Sequence, residues 1–353
     1  MHRYLSPITG RKIRFALVGC GRISKNHFAA VKQHADRAEL LGVCDINPTA
    51  LEIAARETGA KAYSNLDSML EDSIADIVIL STPSGLHAEQ AITIAASGRH
   101  VMTEKPMATH WNDGLRMVKA CEDAHVHLFI VKQNRRNPTL QLLKRTIDIG
   151  RFGRIYMVNI NVFWTRPQEY YDSAAWRGTR ELDGGAFMNQ ASHYIDLLDW
   201  LIGPIESVQA YTATLARSIE VEDTGVLSVK WRSGALGSVN VTMLTYPQNL
   251  EGSITIIGEK GTVRIGGVAV NEISHWEFKD AHEDDQQVAQ ASYATTSVYG
   301  FGHPLYYDNV INVLRAEAVL ETDGREGLQS LEIIIAAYLS ARDGKRVTLP
   351  LDY

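Results

Sequence analysis

The chain contains 353 residues, more than one hydrophobic core usually organises, so we expect two domains. Hydrophobic residues make up 45% and charged residues 22%, which is the balance of a soluble globular protein. A net charge of −6 without a basic tail argues against nucleic acid or an anionic membrane as a partner. No apolar run approaches the roughly 20 residues that span a bilayer, and the N-terminus lacks a signal-peptide core.

The cysteine content argues against a disulfide framework and against a zinc site. The three cysteines, Cys20, Cys44 and Cys121, are few and widely spaced along the chain. Cys20 and Cys44 fall near the ends of predicted strands, where buried free thiols are the simplest interpretation. We therefore expect a cytoplasmic protein without a metal ion.

Strand and helix signals alternate along the first third of the chain. Short apolar runs fit buried parallel strands, and Pro48 and Gly59 fit the start and the end of a helix. In chain order, the sequence predicts strand 13–18, helix 23–34, strand 40–44, helix 48–58, strand 77–81, a helix within 83–98 and strand 100–103. This rhythm predicts a doubly wound parallel sheet, and we expect a Rossmann-type domain over residues 1–134.

After residue 150 the pattern changes to alternating strands joined by tight turns. The sequence predicts strand 154–164, helix 193–203, hairpins over 224–244 and 252–265, and helices near 305–317 and 326–342. The polar stretch 279–299 has weak periodicity and predicts a long loop or a lid. We expect residues 135–353 to form an α+β domain with a large open, mainly antiparallel sheet for substrate binding and oligomerisation.

The stretch after the first strand has the spacing of a dinucleotide-binding turn. Gly19 and Gly21 precede a helix whose N-terminus, near Arg22, favours an anion such as pyrophosphate. Ser24 occupies the third position of the fingerprint, where a small residue is sufficient for packing. Asp45, at the end of the second strand, suits the two ribose hydroxyls of NAD and would repel the 2′-phosphate of NADP. A plain tight turn is the alternative interpretation of the two glycines.

Three further motifs carry a family resemblance. They are "STPSGLHAEQA" at 81–91, "TEKPMA" at 103–108 and "GGAFMNQASHYIDLLDWLIG" at 184–203. Together with "GCGRIS", they resemble the glucose–fructose oxidoreductase, inositol dehydrogenase and rhizopine-catabolism (Gfo/Idh/MocA) family of NAD(P)-dependent sugar oxidoreductases. The resemblance extends over nearly the whole chain.

Residues 175–208 and 221–243 resemble those members that oxidise the C3′ hydroxyl of UDP-N-acetylglucosaminuronic acid in lipopolysaccharide O-antigen biosynthesis. The resemblance therefore implies an NAD-dependent nucleotide-sugar dehydrogenase. Two alternatives remain at this point: a dehydrogenase of inositol or a free sugar, and a non-catalytic NAD-binding regulatory protein of the same fold.

The resemblance implies that Lys105 and His193 hold the reacting alcohol in a cleft between the domains. We expect His193 to be the base and Lys105 to polarise the oxygen, although the reverse assignment remains open. A solvated lysine and a locally bonded helix histidine are the simpler interpretations. Glu104 would lie near the nicotinamide ribose, and the bond between Lys105 and Pro106 is a candidate cis peptide. Asp196 would either orient His193 or be a plain polar helix residue.

The remaining predicted contacts divide between cofactor and sugar. Asn189 replaces the acid that many family members carry, so it can hydrogen-bond but cannot act as a base. Arginines suit the phosphates and carboxylate of a UDP-sugar acid, and an aromatic ring could stack on it, although Trp164 and Trp176 also fit a core. His303 and Tyr307 could close over the sugar, and His87 could be a simple helix residue. The predicted cofactor contacts are Gly19, Gly21, Arg22, Ile23, Asp45, Ser81, Thr82, Pro83, His87, Glu104, Lys105, Asn134 and Trp176. The predicted substrate contacts are Lys105, Asn189, His193, Trp164, Arg166, Arg177, Arg180 and Tyr307.

The strands within 225–244 carry apolar residues on both faces. One face contains Leu227, Val229 and Trp231, and the other contains Val226, Leu236 and Leu244. We expect one of these faces to pack on helices and the other on a second subunit, as sheets of the resembled family often do. The sequence therefore predicts a homotetramer.

Overall fold

A computed structural model describes residues 6–295, 298 and 302–351. The chain forms two compact units, Met1–Lys132 with His303–Leu331, and Gln133–Gly302 with Glu332–Tyr353. The sequence-based boundary between residues 134 and 135 stays a prediction. The grouping of His303–Leu331 with the N-terminal residues shows that the chain returns to its first unit near its end.

Within the described residues, the first unit is built on a parallel sheet of six strands in the order β3-β2-β1-β4-β5-β6. The strands are β1 Ile13–Val18, β2 Ala38–Cys44, β3 Lys61–Tyr63, β4 Ile77–Leu80, β5 His100–Thr103 and β6 Leu128–Ile130. The helices between them are α1 Ser24–Gln33, α2 Pro48–Thr58, α3 Leu66–Asp72, α4 His87–Ala96 and α5 Trp111–Asp123, with a short 3₁₀ turn at Ser84–Leu86. This is the predicted doubly wound sheet.

In the described part of the second unit, an eight-stranded sheet has the order β13-β12-β11-β7-β10-β9-β8-β14. Its strands are β7 Ile155–Phe163, β8 Ile205–Ala213, β9 Thr224–Trp231, β10 Leu236–Thr242, β11 Glu251–Gly258, β12 Gly261–Gly266, β13 Glu272–Phe278 and β14 Val347–Thr348. The remaining helices of the chain are α6 Pro138–Asp148, α7 Gln168–Asp172, α8 Ser192–Ile202, α9 Val288–Ala291, α10 Gly302–Leu314 and α11 Gly324–Asp343. All described pairings are antiparallel except that of β7 with β10, so the predicted mainly antiparallel sheet is confirmed.

Local sequence signals explain several element boundaries. Asn47 caps α2 by accepting the N–H groups of the first turn, Pro48 opens the helix, and Gly59 ends it in the left-handed region at a φ of 71°. Strands β1, β4 and β5 are buried along almost their whole length, as strands covered on both faces must be. The core of this sheet includes Tyr306, Val310 and neighbouring residues of α10.

The second sheet buries one face and leaves the other accessible. Along β9, Leu227, Val229 and Trp231 are buried, and the indole N–H of Trp231 donates to the Leu198 carbonyl of α8 at 3.2 Å. Val226 remains 43% exposed on the opposite face. This alternation is the period-two pattern that the sequence predicts.

The stretch predicted as a loop or a lid contains short helical turns where the structure describes it. Glu283–Gln287 is a 3₁₀ turn and α9 follows directly. Positions 296, 297 and 299 of that stretch lie outside the described residues, so its role as a lid stays a prediction. Across the described parts of the chain, none of the helices combines the length and the apolar character needed to cross a membrane.

Candidate active site

The turn after β1 is built so that only glycine fits its first position. Gly19 has a φ of 95°, and a Cβ atom there would lie 2.7 Å from the backbone of Ser81. The Ser81 hydroxyl donates to the Gly19 carbonyl at 2.7 Å, and the Gly19 amide donates to the Cys44 carbonyl. The turn is therefore fixed against the ends of β2 and β4.

Gly21 faces open space instead. A Cβ atom at Gly21 would meet no atom of the protein within 4 Å. The buried Ser24 hydroxyl donates to the Gly21 carbonyl at 2.7 Å, and α1 begins at Ser24. A helix N-terminus with an open glycine beside it fits a pyrophosphate group, with exposed Arg22 and half-buried Ile23 in the same turn.

Asp45 is held at the end of β2 by backbone N–H groups. Its two carboxylate oxygens accept the amides of Cys20 at 2.6 Å and Asn47 at 2.7 Å. The half-buried carboxylate keeps lone pairs for the ribose hydroxyls of an adenosine. The next residue, Ile46, is 92% exposed and offers an apolar surface beside that position, which the sequence reasoning missed.

His87 is a packing residue that ties two loops together. Its fully buried ring lies between the carbonyl oxygens of Thr82 at 3.0 Å and Pro106 at 3.1 Å. Burial lowers the pKa of His87, so the ring is neutral. Thr82 and Pro83 are half-buried after β4, and the bond between Lys105 and Pro106 is cis, as the resemblance implied. His87 therefore supports the two loops from beneath them.

A buried carboxylate precedes Lys105. Glu104 is 6% exposed, and the Nε2 atoms of His27 and His303 each lie 3.2 Å from its Oε1. Burial raises the pKa of Glu104, but the contacts with His27 and then His303 outweigh it and hold the pKa well below its usual range. Glu104 is therefore an ionised group inside the first unit, and its Oε2 accepts the Lys105 amide at 3.2 Å.

Tyr307 belongs to the same cluster and not to a sugar pocket. Its side chain is fully buried, and its hydroxyl lies 2.8 Å from Nδ1 of His27. Neither Tyr307 nor the 3% exposed His303 offers surface to a ligand, which removes both from the substrate contacts that we propose. Ligand atoms of His27, Glu104 and His303 lie within 4.8 Å of one another, a spacing that a metal ion could also use. Metal analysis of the purified protein distinguishes an ion from the hydrogen-bonded cluster.

In the second unit, a π-helical turn at Ala186–Gln190 leads into α8 and carries the predicted polar residues. His193 lies in the first turn of α8, is 6% exposed, and has its Nε2 3.0 Å from the Gln133 amide nitrogen. Since an amide nitrogen only donates, Nε2 of the neutral ring is the acceptor. Asn189 donates to one carboxylate oxygen of Asp183, and the other oxygen accepts the Gly178 amide at 2.7 Å. Sequence reasoning did not single out Gln133 or Asp183.

Asp196 forms a buried ion pair. Its two carboxylate oxygens accept hydrogen bonds from Arg135, both at 2.7 Å. Asp196 thus anchors α8 to the 3₁₀ turn Gln133–Arg136.

Two arginines flank one tyrosine on the surface of the second unit. The Arg177 guanidinium lies 4.3 Å from the Tyr170 ring centre and 4.4 Å from that of Trp176, and it donates to the Tyr170 hydroxyl at 2.6 Å. Arg166 lies 5.4 Å from the same tyrosine ring. Stacking orients both cations, and such planar donors suit phosphate or carboxylate. Tyr170 was missed because nothing in its local sequence marks it.

The other predicted substrate contacts divide between core and surface. Trp164 is 3% exposed, packs edge-on against Tyr194 and donates to the Val268 carbonyl, so it is a core residue. Arg180 is exposed, and its backbone amide donates to Glu220. Asn134, a predicted cofactor contact, is 3% exposed, and its Oδ1 accepts no hydrogen bond from the described residues. An unsatisfied buried oxygen of this kind fits a ligand donor.

Comparison with known proteins identifies the family to which these two units correspond. The GFO_IDH_MocA oxidoreductase family matches twice, as an NAD-binding Rossmann fold over residues 13–132 and as a C-terminal alpha/beta domain over residues 144–349. These matches confirm NAD as the cofactor. Among curated proteins, a D-apiose dehydrogenase of Paraburkholderia graminis is 25% identical over 97% of this chain and 91% of its own.

Two solved structures are much more similar. A WlbA dehydrogenase from Chromobacterium violaceum, in complex with NADH and UDP-GlcNAcA, is 72% identical over 99% of both chains, with a TM-score of 0.95. A WlbA dehydrogenase from Bordetella pertussis, with the same two ligands, is 70% identical over 98% of this chain and all of its own, with a TM-score of 0.96.

The two glycines of the first turn predict separable effects. Gly21→Ala leaves the folded state unchanged but places a methyl group where pyrophosphate approaches, so we expect NADH affinity to fall at least about tenfold. Gly19→Ala forces a Cβ against the Ser81 backbone, so we expect a lower melting temperature. Fluorescence titration with NADH and thermal denaturation measure the two effects. Unchanged NADH binding by Gly21→Ala would contradict this site.

The Glu104 cluster predicts a pH-dependent contribution to stability. A carboxyl group whose pKa is lowered by folding stabilises the protein above its unfolded pKa of about 4.3, and that contribution is lost as the pH falls toward the folded value. We expect Glu104→Gln to lower the free energy of unfolding by about 2 kcal/mol at pH 8. Urea denaturation at a series of pH values should show this difference in unfolding free energy shrinking progressively below a pH of about 4.

The exposed Glu89, which pairs with Arg116 on the surface, provides the matched control. Glu89→Gln should change the unfolding free energy little at either pH. A Glu104→Gln deficit that is the same at pH 8 and at pH of about 3 would show that the carboxylate is not ionised in the fold.

Proposed function

Since the chain belongs to the GFO_IDH_MocA oxidoreductase family, we propose that it oxidises the C3′ hydroxyl of UDP-N-acetylglucosaminuronic acid with NAD. The observation that carries this proposal is the 70–72% identity, over nearly the whole chain, with two dehydrogenases crystallised with NADH and that sugar nucleotide. At such identity the site residues are expected to serve the same ligands. The product would be the 3-keto sugar, an intermediate for lipopolysaccharide O-antigen synthesis.

Bound NAD accepts the hydride of the sugar carbon, and the protein holds the cofactor and manages the proton. The residues that would hold NAD are those of the Gly19–Ile23 turn, Asp45 and the loop after β4. The open space above Gly21 and the backbone-anchored carboxylate of Asp45 support this assignment. Their fixed positions reduce the entropic cost of placing the cofactor.

We assign His193 as the base that takes the hydroxyl proton and Lys105 as the residue that steadies the oxygen as it becomes a carbonyl. His193 suits a base because Nε2 of its neutral ring carries a lone pair. Gln133 donates to that lone pair at 3.0 Å, and the sugar hydroxyl would replace Gln133 as its donor. Lys105 follows β5 at the carboxyl edge of the sheet, where open α/β sheets bind ligands, and ionised Glu104 precedes it. The negative charge of Glu104 favours a cationic Lys105.

The nucleotide and the sugar carboxylate require cationic partners. We assign this role to Arg166 and Arg177, whose stacking on Tyr170 presents two planar guanidinium groups on one surface. Arg180 and Trp176 extend that surface. Asn189, held by Asp183, would donate or accept a hydrogen bond with a sugar hydroxyl.

We further propose a cytoplasmic homotetramer that associates through the accessible face of the second sheet. Leu236, Met157 and Ile257 stand side by side across β10, β7 and β11 and are 52%, 43% and 38% exposed. An apolar row of this kind on an otherwise polar face is typical of an interface between subunits. The three free cysteines support a reducing compartment.

The oligomer is tested by Met157→Lys, which places a charge in the centre of that row. We expect the wild type to sediment as a tetramer at micromolar concentration and the variant as smaller species. Leu115→Lys changes a 39% exposed leucine of α5 in the first unit and should leave the mass unchanged. A monomeric wild type would contradict the tetramer.

The reaction is tested with UDP-N-acetylglucosaminuronic acid, myo-inositol and free glucuronic acid at enzyme concentrations comparable to that of the cofactor. Absorbance at about 340 nm then reports even one turnover in which NADH stays bound. We expect reduction only with the sugar nucleotide, and at least about a hundredfold slower reduction by Lys105→Ala. Lys119→Ala, an exposed lysine paired with Asp123, is the matched control.

Preference for inositol or free glucuronic acid would replace the substrate proposal and keep the dehydrogenase. Turnover by Lys105→Ala at the wild-type rate, with NADH binding retained, would contradict the catalytic assignment. NADH binding without reduction by any of the three compounds would favour the regulatory alternative.

A further inference from the structure

The π-helical turn Ala186–Gln190 is held by a buried carboxylate from a distant part of the chain. One backbone N–H group of this turn donates to the carboxylate, the next donates to a tyrosine hydroxyl bonded to it, and the preceding one donates to the backbone carbonyl of the same glutamate. The Ala186 amide donates to the Glu222 carbonyl at 3.0 Å, and the Phe187 amide donates to the Glu222 Oε1 at 2.9 Å. The Met188 amide donates to the Tyr338 hydroxyl at 3.3 Å.

Tyr338 of α11 completes the arrangement. Its hydroxyl donates to the same Oε1 of Glu222 at 2.9 Å. This carboxylate oxygen therefore accepts the Phe187 amide directly and orients the hydroxyl that accepts the Met188 amide. Gly185, directly before the turn, leaves the space that the carboxylate needs, because a Cβ there would lie 1.8 Å from Glu222 Oε2. Free N–H groups at a helix start ordinarily bond to a nearby cap, and here two long-range residues take that place.

We propose that Glu222, acting through Tyr338, is a positioning residue that fixes the segment carrying Asn189 and leading to His193. This inference rests on the proposed function for its kinetic consequence, but its structural content does not. Asn189 is the residue directly after Met188 within the turn, and His193 lies three residues beyond the last residue of the turn, Gln190. Because α-helical and π-helical turns differ in register, loss of the hold would rotate both side chains.

Burial raises the pKa of Glu222 to about 7, although the Phe187 amide, Tyr338 and Arg180 act in the opposite direction. The charged groups next to it are Arg180 before the turn and Asp223 after it in the chain. The Asp223 carboxylate is engaged by the amides of residues 215–217. A carboxyl group with a raised pKa stabilises the fold fully below its unfolded pKa, and this contribution is lost as the pH rises through the folded value.

The test compares Glu222→Ala, Glu222→Gln and Tyr338→Phe with the wild type by hydrogen exchange and kinetics. Glutamine keeps the acceptor oxygen, whereas alanine removes it. We expect the Phe187 and Met188 amides to exchange at least about tenfold faster in Glu222→Ala and at near wild-type rates in Glu222→Gln. With UDP-N-acetylglucosaminuronic acid, kcat should fall about tenfold to a hundredfold in Glu222→Ala while NADH affinity is kept.

Glu206, which pairs with Lys230 on the sheet surface, provides matched Ala and Gln controls that should change neither readout. The free energy of unfolding gives a further check. As the pH rises from about 4 to 7, the wild type loses the contribution of protonated Glu222, so Glu222→Gln should become more stable relative to the wild type. If Glu222→Ala does not fold, Tyr338→Phe tests the inference through the exchange rate of the Met188 amide, whose acceptor it removes. Wild-type amide exchange rates in Glu222→Ala and Tyr338→Phe would overturn the inference. If the variants exchange faster as expected but the wild type reduces no NAD, only the proposed function is overturned.

Discussion

The first unit depends on one ionised carboxylate in its interior. Glu104 follows β5, His27 comes from α1 and His303 from α10, so the three residues join separate parts of the chain around one negative charge. An isolated buried charge would cost several kcal/mol, and the imidazole contacts offset that cost. Because α1 follows the Gly19–Gly21 turn and Lys105 follows Glu104, the same cluster fixes the helix after that turn and the segment that carries the lysine.

In the second unit, a different buried carboxylate, Glu222, holds the turn that leads into α8. Glu222 lies where the turn before α8 leaves backbone N–H groups without helical partners, and it accepts them together with Tyr338. The Arg135–Asp196 ion pair anchors the following helix. In both units, a buried acid therefore orders the backbone next to a residue that we assign to the chemistry, and this kind of preorganisation is what catalysis requires.

The side chains around Tyr170 carry the substrate contacts that we propose. Arg166 and Arg177 approach the same ring, so an aromatic side chain sets the distance and direction of two cations. Asn189 supplies an amide to the segment before α8, and Asp183 fixes its orientation. We propose that these features suit a ligand with several anionic groups, since ligand specificity on a shared fold resides in the residues of the site.

The sequence by itself determined the parts that depend on local patterns. Buried apolar runs, the Gly19–Gly21 spacing and the acid at Asp45 indicated the parallel sheet and its cofactor, and period-two alternation indicated the second sheet. Only the tertiary structure decided that Tyr307 and His303 return to the first unit and support Glu104, and that Asp196 pairs with Arg135. It also revealed Glu222 and Tyr338 beneath the turn before α8. These contacts join residues separated by tens to hundreds of positions, and burial and hydrogen-bond pairing over such distances leave no periodic trace in the local sequence.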